Sequence, residues 1–122
     1  MISSFLFIGI LLTLRTAVYA QDPLKVAPNV SKKVLLENDQ VRVLYVEYKA
    51  GETTPWHSHP NHVVYALTDG KIEITDKDKP ANVIELKAGE AVFMPAVTHM
   101  VKNMGSTTLK LVVTEMKPTK LK

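Results

Sequence analysis

Three of the four histidines stand in one stretch, Gly51 to Gly70, GETTPWHSHPNHVVYALTDG, and the fourth, His99, follows in a second, GEAVFMPAVTHMVKN. His57 and His59 are two apart, so on a strand they project to the same face about 7 Å apart at the backbone. Two imidazoles placed so can lean onto one ion at about 2.1 Å. Gly51 lies six residues ahead of the pair and Pro55-Trp56 stiffens the approach to it. The chemistry this suggests is ligation of one divalent transition metal by neutral imidazoles, with the two histidine stretches as the halves of one site. With no cysteine in the chain, thiolate metal sites and disulfide frameworks are excluded.

Strands must position these residues. Val41 to Tyr48 alternates β-branched and aromatic side chains and ends at Ala50-Gly51, which predicts a strand. Val63 to Leu67 is a second apolar run, followed by Asp69-Gly70, a hairpin signal, and by Lys71 to Thr75 with Ile72 and Ile74 on one face. Further strands are expected at Val83 to Leu86, Ala91 to Met94, His99 to Asn103 and Thr108 to Met116. The stretch 21–38 reads as an extended, Pro-bearing arm with a short strand at Val34 to Leu36. No segment after residue 20 keeps a helical period, and Gly or Pro punctuation recurs every eight to twelve residues. The expectation is an all-β domain over residues 39–117, a sandwich or closed barrel of antiparallel strands, with a basic tail at 118–122.

Residues 1–20, MISSFLFIGILLTLRTAVYA, run apolar from Phe5 to Leu14 and end small-x-small before Gln21. The run is too short for a hydrocarbon core of about 30 Å and reads as a secretory signal peptide, which predicts a secreted or periplasmic protein with no membrane span in the mature chain. Removal of the leader leaves 102 residues with 14 basic against 12 acidic side chains, close to neutral. The lysines of the tail lack an arginine cluster or aromatic platform, so a nucleic-acid partner is not expected. A domain this small without disulfides gains stability by pairing or by binding a metal.

The two histidine stretches together resemble the motifs of the cupin superfamily. Gly51, His57, His59 and Gly70 match the first motif in register; Gly89, Pro95, His99 and Asn103 match the second. Eighteen residues, Lys71 to Ala88, separate the two, as in small single-domain cupins. The resemblance implies a jelly-roll β-barrel with a metal held by His57, His59 and His99, and a likeness to homodimeric relatives. Two departures stand out. The motif's glutamate falls on Val63, and the second motif is one residue short, with Val97 near its glycine. His62 stands next to the vacant position. Strand alternation sends neighbours to opposite faces, so a pocket-rim or exterior place is expected for it, with ligation as the alternative.

Without the glutamate, three imidazoles leave the dipositive charge of an ion such as Fe, Ni, Zn, Mn, Cu or Co uncompensated and about three octahedral positions open. That suits an anionic or chelating small molecule. Resemblance to the three-histidine cupins cysteine dioxygenase and acetylacetone dioxygenase implies a non-haem, dioxygenase-type enzyme. A metal-dependent isomerase or lyase, and a non-catalytic binding or sensing module, are the alternatives. Tyr65, in phase with Val63, is the candidate catalytic hydrogen-bonding group. Val63, Leu67, Phe93, Met94 and Val101 are the expected pocket wall, Trp56 a lid or a mouth hydrophobe, and Arg42 an exposed strand arginine, with pairing to an anion at the mouth as the alternative.

Overall fold

The computed structural model describes residues 21–118; the signal-peptide reading, and the tail beyond Pro118, fall outside them. A four-residue helix α1 (Pro23–Val26) is followed by nine strands: β1 (Ser31–Glu37), β2 (Val41–Tyr48), β3 (His57–His59), β4 (His62–Ala66), β5 (Gly70–Asp76), β6 (Asn82–Leu86), β7 (Ala91–Met94), β8 (Val97–Asn103) and β9 (Leu109–Met116). All pairings among the described residues are antiparallel. They make two sheets, one in the order β1-β2-β9-β4-β7 and one in the order β3-β8-β5-β6. The two are packed face to face as a jelly roll, and no ladder among the described residues closes them into one barrel, which corrects the expectation of a closed barrel.

The core lies between the sheets because each long strand alternates. Leu44, Val46 and Tyr48 of β2 and Leu109, Leu111 and Val113 of β9 point inward and are buried. They meet Ile72, Leu86 and Val101 from the other sheet. A fully buried side chain of this kind stabilises by roughly 1.5–3 kcal/mol relative to exposure.

Two local expectations change. The arm at 21–38 is not extended throughout. Asp22 caps α1 by accepting the Leu24 N–H at 3.0 Å, Pro23 opens the helix, and Ala27 and Val30 are buried in the core. The Asp69-Gly70 signal does not make a hairpin either: β4 pairs with β7 and β9, whereas β5 pairs with β6 and β8, so this turn carries the chain from one sheet to the other. Gly70 is there for closeness. A Cβ at this position would lie 2.5 Å from Leu109 Cδ1, an overlap that the packed core resists. Gly51 and Gly89 serve differently, with φ of +77° and +87° in the turns that launch the two histidine stretches, a region costly for side-chain-bearing residues.

Candidate metal centre

β3 and β8 bring the histidines together. His57 lies directly across the ladder from His99, and His59 from Val97. Ring centroids are 4.9 Å apart for His57 and His59, 4.6 Å for His57 and His99, and 5.3 Å for His59 and His99. One ring nitrogen from each of the three lies within 4.8 Å of the others, within reach of a single ion. The cluster lines a mostly apolar, partly open cavity of about 40 Å³ between the sheets.

Hydrogen bonding orients the rings. His57 Nδ1 is 3.0 Å from the Pro55 carbonyl, His59 Nδ1 is 2.7 Å from Glu115 Oε2, and His62 Nδ1 is 2.8 Å from the Pro60 carbonyl. A carbonyl or carboxylate can only accept, so each Nδ1 carries the proton and each Nε2 keeps its lone pair. His99 Nδ1 has a looser partner, Asp76 Oδ1 at 3.7 Å. Burial lowers the basicity of all four histidines; at His57, His59 and His99 the neighbouring imidazoles reinforce it, and His59 and His99 go down to about 2. Neutral rings with inward lone pairs fit a divalent transition metal, which binds the deprotonated imidazole.

His62 is not on the rim. It is 1% exposed and stacks on His59 with ring centroids 4.4 Å apart and planes at 26°. The reason is the phase of β4. Asn61 pins the two-residue turn after β3, accepting the Met116 N–H at its carbonyl and the Ala96 N–H at Oδ1. The strand therefore starts on His62, and the inward positions are His62, Val64 and Ala66. His62 nevertheless stands outside the ligand cluster.

The same phase moves several expected pocket residues. Val63 and Tyr65 face away from the cavity, with Val63 opposite Phe93 and Thr114 in the ladders, and Tyr65 is 41% exposed. Leu67 and Phe93 are also exposed, Phe93 by 59%. Tyr65 therefore has no place beside the cluster, and of the expected wall only Met94 and Val101 line the cavity, joined by Tyr48, Thr54 and Ile72. Trp56 is exposed and is not among the residues that line the cavity.

Sequence reasoning passed over Glu115 and misplaced Arg42. Arg42 is partly buried, its side chain 14% exposed: its Nε donates to Glu115 Oε1 at 2.7 Å, and Nη1 and Nη2 each donate to Asp22 at 3.0 Å. Arg42 and Glu115 face each other across β2 and β9, and Glu115 faces His62 across β9 and β4. The signal was available in the alternation, since Arg42 is in phase with inward Leu44 and Val46, and Glu115 with Leu111 and Val113. A charged residue in the apolar phase of a strand is paired or functional. Asn103, the last residue of the second motif, has a structural role: Nδ2 donates to the carbonyls of Tyr48, Lys49 and Thr107, and Oδ1 accepts the Gly105 N–H.

Comparison with known proteins agrees with this geometry. Among curated proteins no sequence matches the chain significantly. Among solved structures, a cupin domain from Bordetella pertussis Tohama I is similar with a TM-score of 0.66 and 27% identity, over 70% of this chain and 91% of that one. A cupin family protein from Methanocaldococcus jannaschii, with a double-stranded β-helix fold, aligns with a TM-score of 0.58 at 22% identity, over 70% of this chain and 77% of that one. A cupin 2 conserved barrel domain protein from Salinispora arenicola aligns with a TM-score of 0.57 at 17% identity, over 76% and 79%; these last two speak to the fold alone. Residues 44–115, more than half of the chain, match the model of the cupin domain family. With its two motif stretches meeting in one three-histidine cluster inside a jelly roll, the chain belongs to the cupin domain family.

Proposed function

We propose that His57, His59 and His99 hold one divalent transition metal and that the protein is a small-molecule enzyme of the three-histidine, non-haem metal dioxygenase type. The observation that carries this is the convergence of three neutral imidazoles on one mostly apolar cavity. Three nitrogen ligands leave coordination positions open, and a dipositive ion held by uncharged ligands attracts an anionic or chelating substrate. The cavity, at about 40 Å³, admits a reacting group of only a few heavy atoms. A bound metal would supply Lewis acidity and, if redox-active, electron transfer to dioxygen. The chain supplies ring orientation and exclusion of water.

A second reading, a binding or sensing module, draws on a specific feature: among the described residues no Asp or Glu lines the cavity, so a molecule bound there has no carboxylate in direct reach for proton transfer. A metal-dependent isomerase or lyase would face the same shortage. A secretory leader at residues 1–20 would make the protein secreted or periplasmic in this reading. A homodimer would form at the edge of β1, which is unpaired among the described residues and where Val34, Leu35 and Leu36 are exposed.

Metal analysis of the purified protein tests the centre. Close to one equivalent of metal is expected in wild type and little in His57→Ala or His99→Ala; equal trace contents in all three would remove the proposal. Oxygen uptake with a panel of thiols, diketones and catechols then separates an oxygenase from a binding module, which captures ligand without turnover.

A further inference from the structure

Behind His59, on the side away from the cavity, runs a chain of charged groups that the ligand set does not explain. Glu115 Oε2 meets His59 Nδ1 at 2.7 Å, while Glu115 Oε1 accepts from Arg42 Nε at 2.7 Å and stands 2.6 Å from Arg42 Nη2. The Arg42 fork then holds both oxygens of Asp22 at 3.0 Å, and Asp22 is the cap of α1. The neighbouring Gln21 is fastened between the two histidines of β3: its carbonyl accepts the Ser58 N–H at 2.8 Å and its Oε1 accepts from Ser58 Oγ at 2.7 Å. The Glu115 side chain is 4% exposed, and the His59 ring and the Arg42 guanidinium that it bonds set its orientation.

We propose that Glu115 is the positioning residue of the metal centre, locking His59 in the form that presents Nε2 to the ion, and that Arg42 and Asp22 hold Glu115 in place and so couple the N-terminal helix to the site. This rests on the metal-centre reading above. A free neutral histidine favours its proton on Nε2, the form that cannot ligate through that atom. A carboxylate on Nδ1 reverses the preference, fixes the ring and raises its basicity as a ligand. Arg42 in turn determines which oxygen is left for His59. Asp22, Arg42 and Glu115 together carry one net negative charge. The carboxylate missing at the vacant motif position is thus supplied one hydrogen bond further out, where it offsets part of the ion's charge without occupying a coordination position.

The test uses the ¹⁵N-labelled, metal-free protein and the isosteric Glu115→Gln. Ring nitrogen shifts from long-range ¹H–¹⁵N correlation spectra report the tautomer directly. Wild type is expected to show the His59 proton on Nδ1. In Glu115→Gln, Arg42 requires the amide oxygen on its own side, so the amide N–H₂ donates to Nδ1 and the proton moves to Nε2. Cobalt(II) affinity, measured by chelator competition, is expected to fall 10- to 100-fold in Glu115→Gln and several-fold in Asp22→Ala. A variant that keeps the wild-type tautomer and binds cobalt(II) within twofold of wild type would overturn the proposal. Should Glu115→Gln fail to fold, the wild-type spectrum decides alone, since a His59 proton on Nε2 overturns the proposal. Wild type that binds no cobalt(II) but shows the expected tautomer switch sinks the metal-centre reading while leaving the hold of Glu115 on His59 standing.

Discussion

His59 and His99 are held neutral by burial and by one another, and this has a consequence for acid stability. Their basicity in the fold is depressed to about 2 from an ordinary value of 6.5. Below pH 6.5 the unfolded chain therefore takes up protons that the folded chain refuses, and stability falls as the pH is lowered. Each such histidine contributes a slope of up to about 1.4 kcal/mol per pH unit. The melting temperature of the metal-free protein should drop steeply between pH 7 and pH 5, and a flat profile over that range would contradict the buried, neutral cluster. At the same scale, Val63→Glu and His62→Glu make a paired experiment. Val63 faces away from the cavity and His62 into it, so Val63→Glu should leave metal affinity unchanged. His62→Glu places a carboxylate among the imidazoles and should tighten binding of a divalent ion at least tenfold, about 1.4 kcal/mol. The reverse order, read by chelator competition, would mean that the phase of β4 has been misread.

At the scale of elements, the site depends on how β8 is anchored. His99, Val101 and Asn103 take its inward positions, and Asn103 ties the far end of the strand to the turn after β2 and to the loop before β9. Thr54 adds a second tie, since its Oγ1 accepts the Val101 N–H at 3.0 Å. Asn103→Ala would strand three buried or half-buried carbonyls and the Gly105 N–H, at a cost of about 2–4 kcal/mol. Urea unfolding measures this, and a loss under about 0.5 kcal/mol would show that water replaces the amide without penalty. The strands themselves were readable from alternation. The pairing of β4 and β5 was not, because a two-residue turn signal says that the chain reverses but not which sheet receives the next strand. His62 was misplaced for a related reason. A motif spacing counts residues, whereas the inward phase of β4 is fixed by the Asn61 hydrogen bonds, which depend on distant Ala96 and Met116.

At the scale of the whole molecule, the five-stranded sheet ends in β1, whose outer edge is unpaired among the described residues. Leu36 there is 53% exposed. A free edge carrying consecutive apolar side chains invites pairing with another strand, and a second copy of the chain is the proposed occupant. Leu35→Lys combined with Leu36→Lys should shift the protein from dimer to monomer in sedimentation equilibrium while leaving metal content intact. A wild-type protein that sediments as a monomer at tens of micromolar would overturn this. Among the described residues no helix is long and apolar enough to cross a membrane.

The sequence by itself determined what is local or periodic: an all-β chain, the positions of most strands, the turns at Gly51 and Gly89, and three histidines at motif spacing. These follow from side-chain alternation and backbone sterics, which act over a few residues. Only the tertiary structure decided that His62 stacks inside the cavity while Val63 and Tyr65 turn outward, and that Asp22, Arg42 and Glu115 line up behind His59. Those placements depend on strand phase and on pairings between residues up to 73 positions apart, which no local pattern encodes. Seen in the fold, the carboxylate missing from the ligand set reappears as Glu115, one hydrogen bond behind His59.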